Sequence, residues 1–349
     1  MHILVVNDDG PPSRHLSPYI RPFVDALQDA GHLVSVAVPA ASRSWIGKAH
    51  LIGASLKATY VPSDAFREDG TWDTSALPDA SSQSPDSEQR DHNSNNEWVV
   101  VENGTPASCT QLGLYHLFTD RGPIDLVVSG PNHGRNASTI YNLSSGTVGG
   151  ALEAATCGKR GIALSFGSKE EQSIEVVRAA SRLSVRLIEH LYRNWNDGVD
   201  LYNLNVPMRA DVESRPVRWA RALPNYWSKG SLYAEAEVGT AEVGAGGAIL
   251  PNGTADIGAA PTKQGILSRF WNNNNTSAPV VNGCTPHSQP QLKERHFQWS
   301  TELSDITKSL RAAEEGTDAH TVLGGCTSVT PLLANFWHPP GFSGELNLD

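Results

Sequence analysis

The stretch HILVVNDDGPPS, residues 2–13, sets two adjacent aspartates at the point where an apolar run stops. His2 to Val6 is short and rich in β-branched residues, the composition of a buried strand. Asn7, Asp8, Asp9 and Gly10 break it, and Pro11 and Pro12 prevent an immediate helix. Adjacent carboxylates repel each other, so Asp8 and Asp9 need a cation, a proton or full exposure to water. Asn-Asp-Asp-Gly is also ordinary turn chemistry, and a solvated turn is the competing reading of this stretch taken alone.

The neighbouring sequence places the pair. SPYIRPFVDALQDA predicts a helix over 18–30, with Ile20, Val24 and Leu27 on one face, Ser17 as cap, Pro18 in the first turn and Gly31 as terminator. LVSVAVP (33–39) is the next strand. Strand, helix, strand in this order is a βαβ unit, which requires a parallel sheet and a right-handed crossover. Asp8 and Asp9 then stand at the carboxyl end of the first strand, the edge at which open α/β sheets bind ligands.

Further on, strands are expected at 98–101, in IDLVVSGPNHGRN (124–136), in GIALSF (161–166) and in DLYNLNVP (200–207). Helices are expected in CTQLGLYHLF (109–118), in SSGTVGGALEAATCG (144–158) and over 169–195. HTVLGGCTSVTPLL (320–333) reads as a helix end, a glycine turn and a strand. Residues 61–97 and 239–292 are polar or rich in Gly, Ala, Asn and Pro, without period, and read as low-complexity insertions. The expectation is one domain over 1–349, α/β, three-layer and Rossmann-like with a mainly parallel sheet. Residues 208–349 would include a C-terminal hairpin and helix extension.

Composition narrows the function. The 349 residues are 39% hydrophobic and carry a net charge of −10, which argues against a DNA-binding surface. The four cysteines are widely spaced with no CxxC pair, as in reduced intracellular proteins. No apolar run reaches membrane-span length and no basic leader precedes an apolar stretch, so a cytoplasmic location is expected.

Unusual residues gather at four strand ends: Asp8-Asp9, SRSWIG (42–47), ENGTPAS (102–108) and SGPNHGRN (129–136). A helix start follows at Ser145-Gly146-Thr147. In a parallel sheet these tips converge on one edge. Carboxylate, hydroxyl and amide oxygens suit a hard divalent cation such as Mg²⁺, Mn²⁺ or Ca²⁺. Glycine-rich loops and a helix N-terminus can present backbone N–H groups to phosphate. Each element alone has a bland reading. Asn103-Gly-Thr is a turn or a glycosylation sequon, SGPNHGRN a loop, His133 and Arg135 solvated side chains. Together they describe phosphate-ester hydrolysis assisted by a metal.

ILVVNDDG, the Arg43-Ser44 pair, NGTPAS, DLVVSGPNHGRN, SSGTVGGALEA and GTDAHTVLGGCTSVTPL occur in the order found in the SurE family, which the chain resembles over roughly 1–60, 98–207 and 294–333. Members of that family are metal-dependent nucleotide phosphatases acting on nucleoside 5′- and 3′-monophosphates. The resemblance implies that Asp8, Asp9, Ser44 and Asn103 are metal ligands. It also implies that Ser129, Gly130, Gly134, Arg135, Asn136, Ser145, Gly146 and Thr147 lie on the phosphate side. Asn132 and Ser145 would join Asp8, Asp9 and Asn103 in catalysis, and Asn103 would stay unglycosylated. It further implies a homodimer or higher homo-oligomer that uses the C-terminal extension. The chain departs from the family in AASRSWIGKAH (40–50), where an Asp-Arg-type run is usual, and in both insertions. These features resemble the fungal branch, where the domain can precede a tubulin-tyrosine-ligase-like domain. Two alternatives stay open: an aspartyl-phosphate on Asp8, and a scaffold or RNA-granule interaction module that keeps the fold.

Overall fold

The computed structural model describes residues 1–73, 96–227, 232–236, 295–299 and 304–335. β1 (His2–Val6) alternates sides as a strand must, and both sides are buried. Ile3 and Val5 meet Phe23 and Leu27 of α1 (Ile20–Asp29) and the apolar face of α5 (Ile174–Arg193). Leu4 and Val6 pack with Cys109 of α2 (Pro106–Leu112) and with Phe118. On that second side α4 (Gly146–Thr156) lies along α2. The result is a sheet between two helical layers, the three-layer arrangement expected from the βαβ pattern.

Six parallel strands form the centre in the order β4-β2-β1-β5-β6-β7. They are β2 (Leu33–Pro39), β4 (Glu97–Glu102), β5 (Leu126–His133), β6 (Arg160–Phe166) and β7 (Leu201–Val206) around β1. β3 (Lys57–Pro62) closes one edge antiparallel to β4. At the other edge β11 (Thr327–Leu332) runs antiparallel to β7 and pairs in parallel with β8 (Val217–Trp219). Strand order reverses between β1 and β5. In doubly wound sheets that reversal opens a crevice at the carboxyl edge.

The described chain divides into two compact units. The first, 1–226 with 308–349, carries the large sheet. The second, 227–307, includes an antiparallel pair of strands, β9 (Tyr233–Glu235) and β10 (Phe297–Trp299), bridged by the Arg295–Glu235 ion pair at 2.6 Å. α6 (Ser304–Arg311) and α7 (Asp318–Leu323) precede β11. No helix among the described residues is long and apolar enough to cross a membrane.

Several boundaries differ from expectation for identifiable reasons. α1 begins at Ile20, not Pro18, because the Ser17 side chain serves Asn7 instead of capping the helix. α2 begins at Pro106, earlier than Cys109. Thr105 and Ser108 form a capping box, and proline suits the first helical position. The insertion expected over 61–97 does not begin at 61. β3 runs to Pro62, and Phe66 packs on Trp98 with ring centroids 5.6 Å apart. Residues 74–95 and the insertion expected over 239–292 lie outside the described residues. The loop expected from 129 is strand as far as His133. Gly130, at φ +124, makes a bulge, after which Asn132 and His133 pair again with Ser165 and Phe166. A Cβ at Gly130 would meet the Leu164 carbonyl, so only glycine fits.

Candidate active site

Asn7 builds the turn that carries the acidic pair. Its Oδ1 accepts from the Gly10 N–H at 3.1 Å, and its Nδ2 donates to the Gly10 carbonyl and to Ser17 Oγ. The Asp8 carbonyl accepts from the Arg43 N–H, which ties the loop after β2 to the tip of β1. The turn is not solvated. Asp8 and Asp9 are 3% and 7% exposed.

Asp8 faces the start of α4. Its Oδ1 accepts from Thr147 Oγ1 at 2.6 Å, and the N–H groups of Gly146 and Thr147 also favour its ionised form. Burial outweighs these contacts and pushes the Asp8 carboxyl above its ordinary value. Asp9 accepts from the His133 N–H at 2.8 Å. Burial, and then the charge of Asp8, push Asp9 well above the usual carboxylate range, opposed by that N–H and by Lys169. The two carboxyls resist carrying two negative charges without a further cation.

Asn132 reaches the same place. Its Nδ2 donates to the Gly134 carbonyl at 2.7 Å, and its Oδ1 lies 3.2 Å from the Thr147 hydroxyl. Ser145 caps α4, accepting from the Val148 N–H at 3.1 Å, which leaves its hydroxyl proton as a donor. Ser44 is exposed on the loop after β2, with Oγ 3.2 Å from Ser42 Oγ. Asn103 is exposed after β4 at φ +58, and its Nδ2 donates to the Ser55 carbonyl at 3.0 Å. The amide oxygen is then its group for a cation. The hard-oxygen chemistry therefore fits a divalent ion. Two carboxylates stand at the switch point, and a hydroxyl and an amide oxygen lie on neighbouring loops of the same edge.

Of the other expected phosphate-side groups, Gly134 and Asn136 are hydrogen-bonded within the fold. Ser129 is buried against α4 beside Gly150. The Gly134 N–H donates to the Phe166 carbonyl. Asn136 donates its backbone N–H to Asn205 Oδ1 and its Nδ2 to Ser165 Oγ, while its carbonyl accepts from Asn203 and Asn205. Arg135 is exposed. The His133 ring sits edge-on to Tyr19 at 5.2 Å, and burial followed by Lys169 lowers its pKa, so it is neutral around pH 7.

The sequence reading missed several of these partners. Lys169 is an exposed cation whose field reaches both Asp9 and His133, and nothing in its local sequence marks it. Asn203 and Asn205 carried a signal, since they are alternate polar residues in a strand otherwise expected to be buried and apolar. Asp318 is fully buried and accepts from the N–H groups of Ser138 and Leu223, at 2.9 Å each.

Residues 3–229 match the family described as Survival protein SurE. The chain belongs to the SurE family. It is 31% identical over 261 residues to a 5′-nucleotidase SurE of Archaeoglobus fulgidus, covering 69% of this chain and 85% of that protein. It is also 38% identical over 239 residues to a probable tubulin–tyrosine ligase, PBY1, of Saccharomyces cerevisiae. That match covers 65% of this chain and spans 31% of the yeast protein. The crystal structure of a SurE protein from Aquifex aeolicus shares the fold, with a TM-score of 0.54 at 22% identity over 97% of this chain and 95% of that one.

In this SurE chain the loop bearing Ser44 is fastened at several points. Arg43 Nε donates to the Gly104 carbonyl, the Gly47 N–H to the Ser144 carbonyl, and Thr105 Oγ1 to the Ala49 carbonyl. Lys48 Nζ lies 2.5 Å from Glu153 Oε2, with His50 Nε2 at 3.3 Å. Burial raises the Glu153 carboxyl, but Lys48, Gln111 and His50 together bring it below its ordinary value. A lowered carboxyl adds stability that is complete above the unfolded pKa, about 4.3, and disappears as pH falls through the folded value. Glu153→Gln is expected to cost about 1–2 kcal/mol at pH 7, since Lys48 stays partly solvated and can rehydrate. The deficit should shrink as pH falls below the unfolded value and through the lower folded one. Urea unfolding at pH 7 and pH 3.5 measures both, and a deficit equal at the two pH values would show that the carboxylate charge is irrelevant.

Proposed function

We propose that this SurE chain is a divalent-metal-dependent phosphomonoesterase acting on nucleoside 5′- or 3′-monophosphates. The observation that carries the reading is the buried Asp8–Asp9 pair at the reversal of strand order, where both carboxyls are driven towards protonation unless a cation joins them. Family membership and the nucleotidase names of several relatives support it. Asp8, Asp9, Ser44 and Asn103 would hold the ion, which when bound supplies Lewis acidity and lowers the pKa of a coordinated water.

The remaining roles fall to the chain's own groups. Thr147 and the start of α4 fix the rotamer of Asp8. The His133 N–H fixes Asp9. Asn132 and the Ser145 hydroxyl offer a neutral acceptor and a donor beside that pair, suited to orienting water and a phosphoryl oxygen. Lys169 adds positive charge where negative charge grows during phosphoryl transfer. A cytoplasmic location is part of the same reading.

Phosphate release from p-nitrophenyl phosphate and from nucleoside monophosphates, measured with Mn²⁺ and with EDTA, tests the proposal. Turnover unaffected by EDTA would remove the metal from the reading. No turnover with any added cation would leave the interaction-module alternative. Self-association is also proposed. It rests on the exposed edge strand β8, where Trp219 is 63% exposed. Light scattering at micromolar concentration checks it, and a clean monomer mass would count against it.

A further inference from the structure

Two aromatic rings are carried by segments tied to the acidic pair, and the roles assigned so far use neither. Trp45 follows Ser44 directly, and Tyr141 lies in α3 (Thr139–Ser144), whose last turn leads into Ser145. The ring centroids are 6.0 Å apart and the planes are tilted by 59°. Both side chains are half-buried, so each keeps part of its surface open.

The backbone holds them there. Trp45 is in the left-handed region at φ +65, a conformation unfavourable for a bulky residue and found where surrounding contacts impose it. Those contacts are with the site itself. On one side of Trp45 the Arg43 N–H donates to the Asp8 carbonyl. On the other, Ile46 stands against Gly146, and the Gly47 N–H donates to the Ser144 carbonyl. Tyr141 is held by the same junction, since its carbonyl accepts from the Ser145 N–H at 2.9 Å. The aromatic pair is therefore bound to the loop bearing Ser44 and to the helix start that orients Asp8.

A solvated loop has no need of a tryptophan in an unfavourable backbone conformation. A rigid, partly open aromatic surface next to a phosphate site has an obvious ligand: a flat, π-rich group joined to the phosphate through a short linker. We propose that Trp45 and Tyr141 form the subsite for the base of a nucleoside monophosphate whose phosphate lies at Asp8 and Asp9, an inference that rests on the phosphatase reading above. Stacking tolerates any base, because every base presents a π face. The subsite thus selects nucleotides over sugar phosphates without choosing among the bases.

The test is a ratio. kcat/KM for adenosine 5′-monophosphate divided by that for ribose 5-phosphate is measured with Mn²⁺ in the parent, Trp45→Ala, Trp45→Phe and Tyr141→Leu. The ratio should fall about ten- to a hundred-fold in Trp45→Ala, less in Tyr141→Leu, and little in Trp45→Phe, which keeps a π face. Loss of both activities together, with the ratio unchanged, would make Trp45 a loop support and overturn the subsite. An unchanged ratio with activity retained would overturn it as well. Calorimetric binding of the same two compounds separates the two readings. Tighter binding of the nucleotide that is lost in Trp45→Ala sustains the subsite even if no variant, nor the parent, turns over. Equal binding of both compounds by the parent and Trp45→Ala overturns the subsite even if phosphatase activity is present.

Discussion

Asp9→Asn is expected to lower metal-dependent phosphatase turnover by at least about a hundred-fold and, in the metal-free protein, to raise the melting temperature. The first effect follows from the proposed ligand role. Loss of groups that merely orient ligands costs about ten- to a hundred-fold in metal affinity or activity, so loss of a ligand should cost more. The second follows from burial. Asp9 lies at 7% exposure beside Asp8, and both burial and the neighbouring charge hold its carboxyl well above the usual range.

A raised carboxyl makes the folded state bind protons more tightly than the unfolded one. Metal-free stability therefore declines as pH rises from the unfolded value, about 3.9, through the folded value, and stays low above it. Asparagine has no such ionisation and can still accept from the His133 N–H through its amide oxygen. The gain in melting temperature should be absent near pH 3.5 and appear as pH rises, at about 2–4 °C for each kcal/mol relieved. Added Mn²⁺ should stabilise the parent and not the variant, since only the parent presents both carboxylates. Calorimetry of both proteins at several pH values, with and without Mn²⁺, is the measurement. A variant that melts below the parent at pH 8 without metal would show that Asp9 is compensated within the fold, and the case for a resident cation would weaken.

The architecture was largely legible because its signals are local. His2–Val6, the amphipathic stretch after it and Leu33–Pro39 are contiguous segments whose apolar periods differ, and order alone made them a parallel unit. The acidic pair was legible for the same reason, since two like charges at a strand tip are visible without any partner. What was hidden depends on distance along the chain. Thr147 lies 139 positions from Asp8, and His133 lies 124 from Asp9. No local pattern announces either bond. The Ser-Gly-Thr start reads as a phosphate cradle, and nothing in the sequence signals that the Thr147 hydroxyl and the Gly146 and Thr147 amides also hold Asp8. A helix N-terminus attracts whichever anion the fold places there, and a carboxylate serves as well as a phosphate. Gly130-Pro131 read as a loop because glycine and proline usually end strands. Here β6 offers the partners that let β5 resume after the bulge. Lys169 was passed over because an exposed lysine looks the same in sequence wherever it stands.

The start of α4 also yields the second large effect. Gly146→Ala should leave the protein folded yet cut turnover by about a hundred-fold. Helix propensity alone points the other way, since alanine is favoured over glycine by up to about 1 kcal/mol in helices. The surroundings decide. A Cβ on Gly146 would stand 2.7 Å from Asp8 Cβ, 3.0 Å from Asp8 Oδ2 and 2.8 Å from Ile46 Cγ2. Asp8 Oδ2 and Ile46 Cγ2 are side-chain ends that can turn aside, whereas Asp8 Cβ moves only with its backbone, so the tip of β1 must also shift by a few tenths of an ångström. Asp8 would turn away from Thr147 and the N-terminal amides, and Ile46 would shift the segment next to Ser44. Both movements disturb proposed metal ligands while leaving the apolar layers untouched, and displacement of a reacting group by about 1 Å can cost on the order of a hundred-fold in rate. Gly130→Ala, by contrast, would need backbone to move at φ +124 and should not yield folded protein. Circular dichroism melts, Mn²⁺ titration and turnover of the Gly146 variant are the readouts. A folded variant with weakened Mn²⁺ binding and low turnover is the expected result. Parental turnover would mean that Asp8 is not held in place by α4, and its role as a ligand would then need another support.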